Sequence, residues 1–88
     1  RADGLPVLRD RKAIGNWAHA FSEAFEEFCK DLDAGRRTVM DPYGATNPAE
    51  FFSVATECFF EKAKQLEKEH PPLYEQLAKY YGLDPARW

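Results

Sequence analysis

Ile14-Gly15-Asn16-Trp17-Ala18-His19-Ala20-Phe21-Ser22-Glu23-Ala24-Phe25-Glu26-Glu27-Phe28-Cys29-Lys30-Asp31-Leu32 carries its large apolar residues at Ile14, Trp17, Phe21, Phe25, Phe28 and Leu32, in steps of three or four. At about 100° per residue, that spacing lays one stripe along one side of an α-helix. The other side holds His19, Glu23, Glu26, Glu27 and Lys30, with Glu26 and Lys30 in the favourable i, i+4 order. Gly35 stands where a helix ends, and Arg36 and Arg37 follow where cations suit the negative helix terminus. The pattern predicts a helix over residues 10–34.

Downstream, Thr38 to Thr46 contains Pro42 and Gly44 and has no periodicity, which reads as a connecting loop. Asn47-Pro48-Ala49-Glu50 then places a capping Asn, a Pro whose missing N–H costs nothing in the first turn, and a Glu three past the cap. A second helix is expected from there. Phe51, Val54, Ala55, Cys58 and Phe59 form its apolar face, Phe52 and Phe60 lie outside that stripe, and Glu50, Glu57 and Glu61 stack along one edge. This helix is therefore expected to be covered on more than one side. A short helical stretch over residues 63–69 must end before Pro71-Pro72. A last helix carries Leu73, Tyr74, Leu77, Tyr80 and Tyr81 on its apolar face and closes at Gly82 and Asp84-Pro85. The fold class is all-α, a small bundle of three to four helices over residues 1–88 with no internal boundary.

Eighty-eight residues support one core and bury only about 60–65% of the unfolded surface. Against that, seven Phe, four Tyr and two Trp are a heavy apolar load. A net charge of −3 with scattered basic residues argues against nucleic acid. No stretch is long and apolar enough for a membrane span, and no signal-peptide pattern is present, so a cytoplasmic location is expected. Cys29 and Cys58 lie within apolar helical patterns and read as reduced packing residues, not as reactive thiolates. His19 and His70 read as surface residues, His19 on the polar helix side and His70 ahead of Pro71-Pro72. The Arg1-Ala2-Asp3-Gly4-Leu5-Pro6 opening has no helical pattern and suggests a piece of a longer protein.

Asp41-Pro42-Tyr43-Gly44-Ala45-Thr46-Asn47-Pro48-Ala49-Glu50-Phe51-Phe52, continued to Glu61, resembles the C-terminal signature of the Mlc titration factor A family of gluzincin-like bacterial zinc peptidases. Asp3-Gly4-Leu5-Pro6-Val7-Leu8 is similar to the family stretch after its metal-binding helix, and Pro72-Leu73-Tyr74, Tyr80-Tyr81 and Asp84-Pro85 to its C-terminus. The resemblance implies the C-terminal portion of a larger zinc peptidase catalytic domain. In that family a His-Glu-x-x-His helix supplies two zinc ligands and the general base, and a downstream Glu the third ligand. By motif match that Glu is Glu50; on pattern alone closing a capping box with Asn47 is the stronger reading, and the resemblance reverses that in favour of a ligand in the intact protein.

Tyr43, seven residues before Glu50, has a spacing similar to that of a gluzincin Tyr that reaches the oxyanion; the alternative is a loop Tyr packed over a helix end. Glu57, seven residues after Glu50 on the same edge, suits the support of a ligating His, or belongs to a solvated acidic stripe. Asp41 matches as well, and turn chemistry explains it equally. No His-Glu-x-x-His occurs in these 88 residues, so the chain alone is expected to be inert and to hold no zinc, which belongs to the intact parent. For the parent the resemblance implies a peptide substrate and, in some members, the repressor Mlc as partner. The other class of reading is a non-catalytic helical interaction or regulatory module. Under either, self-association through exposed apolar faces is expected of this chain.

Overall fold

A computed structural model describes residues 11–88. The order is α1 (Arg11–Asp33), a 3₁₀ turn (Pro42–Ala45), α2 (Pro48–Glu61), α3 (Ala63–Glu69), α4 (Pro71–Tyr81) and a second 3₁₀ turn (Pro85–Arg87), with no strand among the described residues. The all-α bundle expected from the sequence is what forms. None of these helices is long and apolar enough to cross a membrane.

The caps fall where the sequence puts them. Gly35 adopts φ +74°, its N–H donates to the Leu32 carbonyl at 3.0 Å, and Arg36 N–H reaches back to Asp31 at 2.9 Å. That pair of bonds is a Schellman closure, which needs a left-handed residue and so favours Gly. Gly82, at φ +69°, ends α4 in the same region. Between α3 and α4 the break falls at His70, held at φ −136° and ψ 72° by the prolines behind it.

The core lies between α1 and the α2–α4 hairpin series. Phe28, Phe51, Phe59, Leu66, Leu73 and Leu77 are fully buried within it. Phe51 stands at its centre, its ring 5.2 Å from Phe21, 5.2 Å from Phe25 and 5.4 Å from Phe28. Trp17 extends this contact along α1, edge-on to Tyr80 at 5.4 Å and to Phe52 at 6.1 Å. Phe52 is thus covered by a second helix pair, as its position off the central stripe implied, whereas Phe60 stays 42% exposed with one edge against Tyr81.

Two sequence expectations are corrected. Ile14 is 49% exposed and its neighbours Lys12, Gly15 and Asn16 are exposed too, so this first part of α1 gains little cover from the other described elements despite its place on the stripe. His70 is a buried residue, only 3% exposed, because the α3–α4 corner turns it toward α1. The two cysteines are free, Cys58 buried and Cys29 half-buried. The stretch Asp3–Leu8, which carried part of the family resemblance, lies outside the described residues.

At the C-terminus, the Tyr74 hydroxyl donates to Asp84 and accepts from Ala86 N–H at 3.0 Å. Burial, and then that donation to Asp84, pushes the Tyr74 pKa up. Arg87 grips the Glu67 carboxylate with both terminal nitrogens, at 3.1 and 2.7 Å. These bonds fold residues 83–88 back over α3 and α4.

Candidate functional site

Between Thr38 and Asn47 the backbone is shaped by short polar side chains, each bonding to a nearby main-chain group. Asp41 is extended, at φ −61° and ψ 132°, and its Oδ1 accepts the Tyr43 N–H at 2.9 Å. Pro42 fits the first position of the turn, and Gly44 N–H closes it on the Asp41 carbonyl at 2.9 Å. Thr46 then donates twice to the Tyr43 carbonyl, from its N–H at 3.1 Å and its hydroxyl at 2.8 Å. The Tyr43 main chain is pinned on both sides while its ring is 59% exposed. Asp41 accordingly performs the turn role that its residue type allows.

At the start of α2, Asn47 is extended, at φ −167°, and its Oδ1 accepts the Glu50 N–H at 2.9 Å. This is half of a capping box. The reciprocal bond from the Glu50 carboxylate is not made, and that carboxylate has no hydrogen-bond or ion-pair partner among the described residues. Glu50 is half-buried and sits in the first turn, where the positive helix end favours an ionised carboxylate. Glu57 is exposed, two turns along, and lines a groove of about 330 Å³ with Asp41, Glu61 and Lys62 over Met40 and Cys58. The fold thus brings Asp41 and Glu57 to one groove, and neither Tyr43 nor Glu50 is part of its wall. Among the described residues no three His, Cys, Asp or Glu side chains converge as a metal site.

Behind this loop lies a feature that the sequence reading missed. Glu69, at the end of α3, accepts the Val39 N–H on Oε1 at 2.9 Å across 30 residues of chain. The Cys58 Sγ sits 4.0 Å from the Val39 carbonyl, and the Thr38 hydroxyl donates to the Met40 carbonyl at 2.8 Å. Burial pushes the Cys58 thiol up to about 11; Lys62 opposes the shift, and Glu69 and Glu61 add to it. A thiol held neutral in this way is a packing and donor group, not a nucleophile. Next to Glu69, the buried His70 places Nδ1 3.3 Å from Glu27 of α1 and Nε2 3.8 Å from Glu69, with no hydrogen bond at Nε2. A periodic signal for this existed, since His70 follows Leu66 by four and precedes Leu73 and Leu77 by three and seven.

Among the described residues, α2 thus opens on a half-buried glutamate whose carboxylate has no partner, beside an ordered Asp-Pro-Tyr turn. The chain belongs to the family described as glucose-regulated metallo-peptidase M90, whose profile matches residues 1–82. It is 45% identical over 83 residues to the uncharacterized protein slr2042 of Synechocystis sp., covering 94% of this chain and 30% of that protein. It is 33% identical over 87 residues to the Mlc titration factor A of Escherichia fergusonii, covering 97% of this chain and 32% of that protein. With the Mlc titration factor A of Serratia proteamaculans the identity is 35% over 86 residues, covering 96% and 32%. The chain therefore spans about a third of the length of these relatives. No solved structure matches it.

Proposed function

We propose that this chain is the C-terminal helical part of a cytosolic zinc peptidase and that it supplies the third zinc ligand, Glu50. The observation that supports this reading is Glu50, whose N–H is capped by Asn47 while its carboxylate, at a helix N-terminus, has no partner among the described residues. A carboxylate spent on closing its own cap would have argued for structure alone. The donor set present here fits one of the three protein ligands that a catalytic zinc needs, so two others come from outside this chain. When bound, the metal would polarise a peptide carbonyl and activate a water.

Tyr43 then donates its phenolic proton as a hydrogen bond to the oxygen that gains charge; the bonds at its N–H and carbonyl support this reading by fixing the main chain from which the exposed phenol extends. Glu57 takes the supporting role, accepting from the free ring nitrogen of an incoming histidine. The substrates are peptides, and the repressor Mlc is a candidate partner, as the name of the Mlc titration factor A relatives suggests.

Zinc titration of the full-length protein tests the assignment. Stoichiometric tight binding that is lost in both Glu50→Ala and Glu50→Gln is the expected result, and undiminished binding in both variants rejects it. A protein that binds no zinc at all favours the second reading, a helical interaction module whose contacts are made by exposed apolar side chains such as Ile14 and Phe60.

A further inference from the structure

Three side chains from three elements hold the backbone just before the turn that carries Tyr43. Thr38 bonds to the Met40 carbonyl, Cys58 of α2 approaches the Val39 carbonyl, and Glu69 of α3 takes the Val39 N–H. The Glu69 bond is the strongest of these, since a carboxylate accepting an N–H is charge-assisted and a thiol is a weak donor. It also has the most rigid base. His70, next in sequence, is 3% exposed, donates its N–H to Leu66 at 2.8 Å and accepts from Tyr74 N–H at 3.0 Å, so the main chain beneath Glu69 is fixed from both sides. From Val39 the path to Tyr43 is short and stiff: Met40 is 1% exposed, and Asp41 and Pro42 are locked in their turn.

We propose that Glu69 is a positioning residue for Tyr43: by holding the Val39 amide it sets where the Asp41–Ala45 turn sits against α2, and so where the phenol stands relative to Glu50. This rests on the peptidase reading above and adds to it a residue remote in sequence from the motif. Glu69 touches no reacting atom in this scheme; it acts only through the loop.

Hydrogen–deuterium exchange and steady-state kinetics on the full-length protein test it with Glu69→Ala, Glu69→Gln and Tyr43→Phe. Glu69→Ala removes the acceptor, so exchange at the amides of residues 39–46 is expected to rise about tenfold while the Leu66 and Leu77 amides are unchanged. With a peptide substrate, kcat is expected to fall about tenfold with KM little altered, because the lost geometry matters for the oxyanion and not for substrate binding. Glu69→Gln keeps an oxygen that can accept from Val39 without the charge and is expected to restore the larger part of both readouts. In a Tyr43→Phe background, Glu69→Ala is expected to cost nothing further in kcat.

Unchanged exchange over residues 39–46 in Glu69→Ala overturns the proposal, as do additive losses in the double variant or a Glu69→Gln that behaves like the Ala variant. If the protein cleaves no peptide, the exchange arm still decides: faster exchange in Ala with rescue in Gln upholds the clamp on the turn, and the failure then lies with the peptidase reading.

Discussion

A methyl group added at Gly44 would lie 3.3 Å from the Phe28 ring, 3.3 Å from Val54 Cβ and 3.5 Å from the Phe51 backbone. The two tight contacts are with Phe28, which is fully buried, and with Val54 Cβ, an atom fixed to its helix backbone, so neither has room to give. Gly44→Ala is therefore expected to destabilise the chain by about 1–3 kcal/mol, read as a lower urea midpoint at unchanged slope. The same close approach explains why Gly stands in a turn whose other residues are set by side-chain bonds. At Cys58 the chemistry is one of protonation. Its folded pKa, about 11, lies above the ordinary thiol value of 9.0, so burial of the neutral thiol contributes stability in full below about pH 9. That contribution falls away as pH rises through about 11, and chemical denaturation at pH 8 and pH 10.5 should show a larger loss in wild type than in Cys58→Ala, since the raised Tyr74 adds the same alkaline loss to both. Glu50, Tyr43 and Glu57 can be named as candidates from the sequence because they sit at fixed spacing within one contiguous motif. The pairings of Glu69 with Val39 and of His70 with Glu27 could not be read there, because those partners are remote in sequence, although the periodic spacing of His70 from Leu66, Leu73 and Leu77 signalled its burial.

At the scale of elements, the sequence announces helix ends better than it announces which helix faces which. Gly35, Asn47, Pro48 and Gly82 each act through local backbone chemistry, and each ends or begins a helix as that chemistry requires. Cover by other elements is a tertiary matter, which is why Ile14 kept its periodic position yet lies exposed, and why His70 beside two prolines looked like surface and lies inside. On the proposed reading the α2 cap also bears on the candidate ligand. Asn47 satisfies the Glu50 N–H, and the Glu50 carboxylate does not return a bond to the Asn47 N–H among the described residues. Asn47→Ala is expected to cost about 1 kcal/mol of stability, whereas Asn47→Asp, which keeps an accepting oxygen, should be close to neutral. Thermal melts of the three proteins separate these outcomes; equal midpoints for wild type and the Ala variant would remove the cap from the account.

For the whole molecule, the question is what holds α1 against the rest. A chain of 88 residues has a stability on the order of 4–13 kcal/mol, too little to spare one of its central contacts. Phe51 is that contact: it is fully buried and its ring meets Phe21, Phe25 and Phe28, all on α1. Truncating a buried Phe to Ala costs about 3–5 kcal/mol, because the cavity adds to the lost transfer energy. Phe51→Ala is therefore expected to remove a large share of the stability and to release α1 first, with near-UV circular dichroism falling ahead of the helical signal as urea is added. Phe60→Ala lies on the same helix and changes the same residue type at a position 42% exposed, so its cost is expected within about 0.5 kcal/mol. Should both variants unfold at the same urea concentration, the α1–α2 aromatic contact would not be what organises the bundle. Since α2 carries Glu50 and rests on α1 through the adjacent Phe51, the same experiment asks whether the candidate ligand is set by the core: loosening of α1 should raise amide exchange at the first turn of α2 in Phe51→Ala and leave it unchanged in Phe60→Ala.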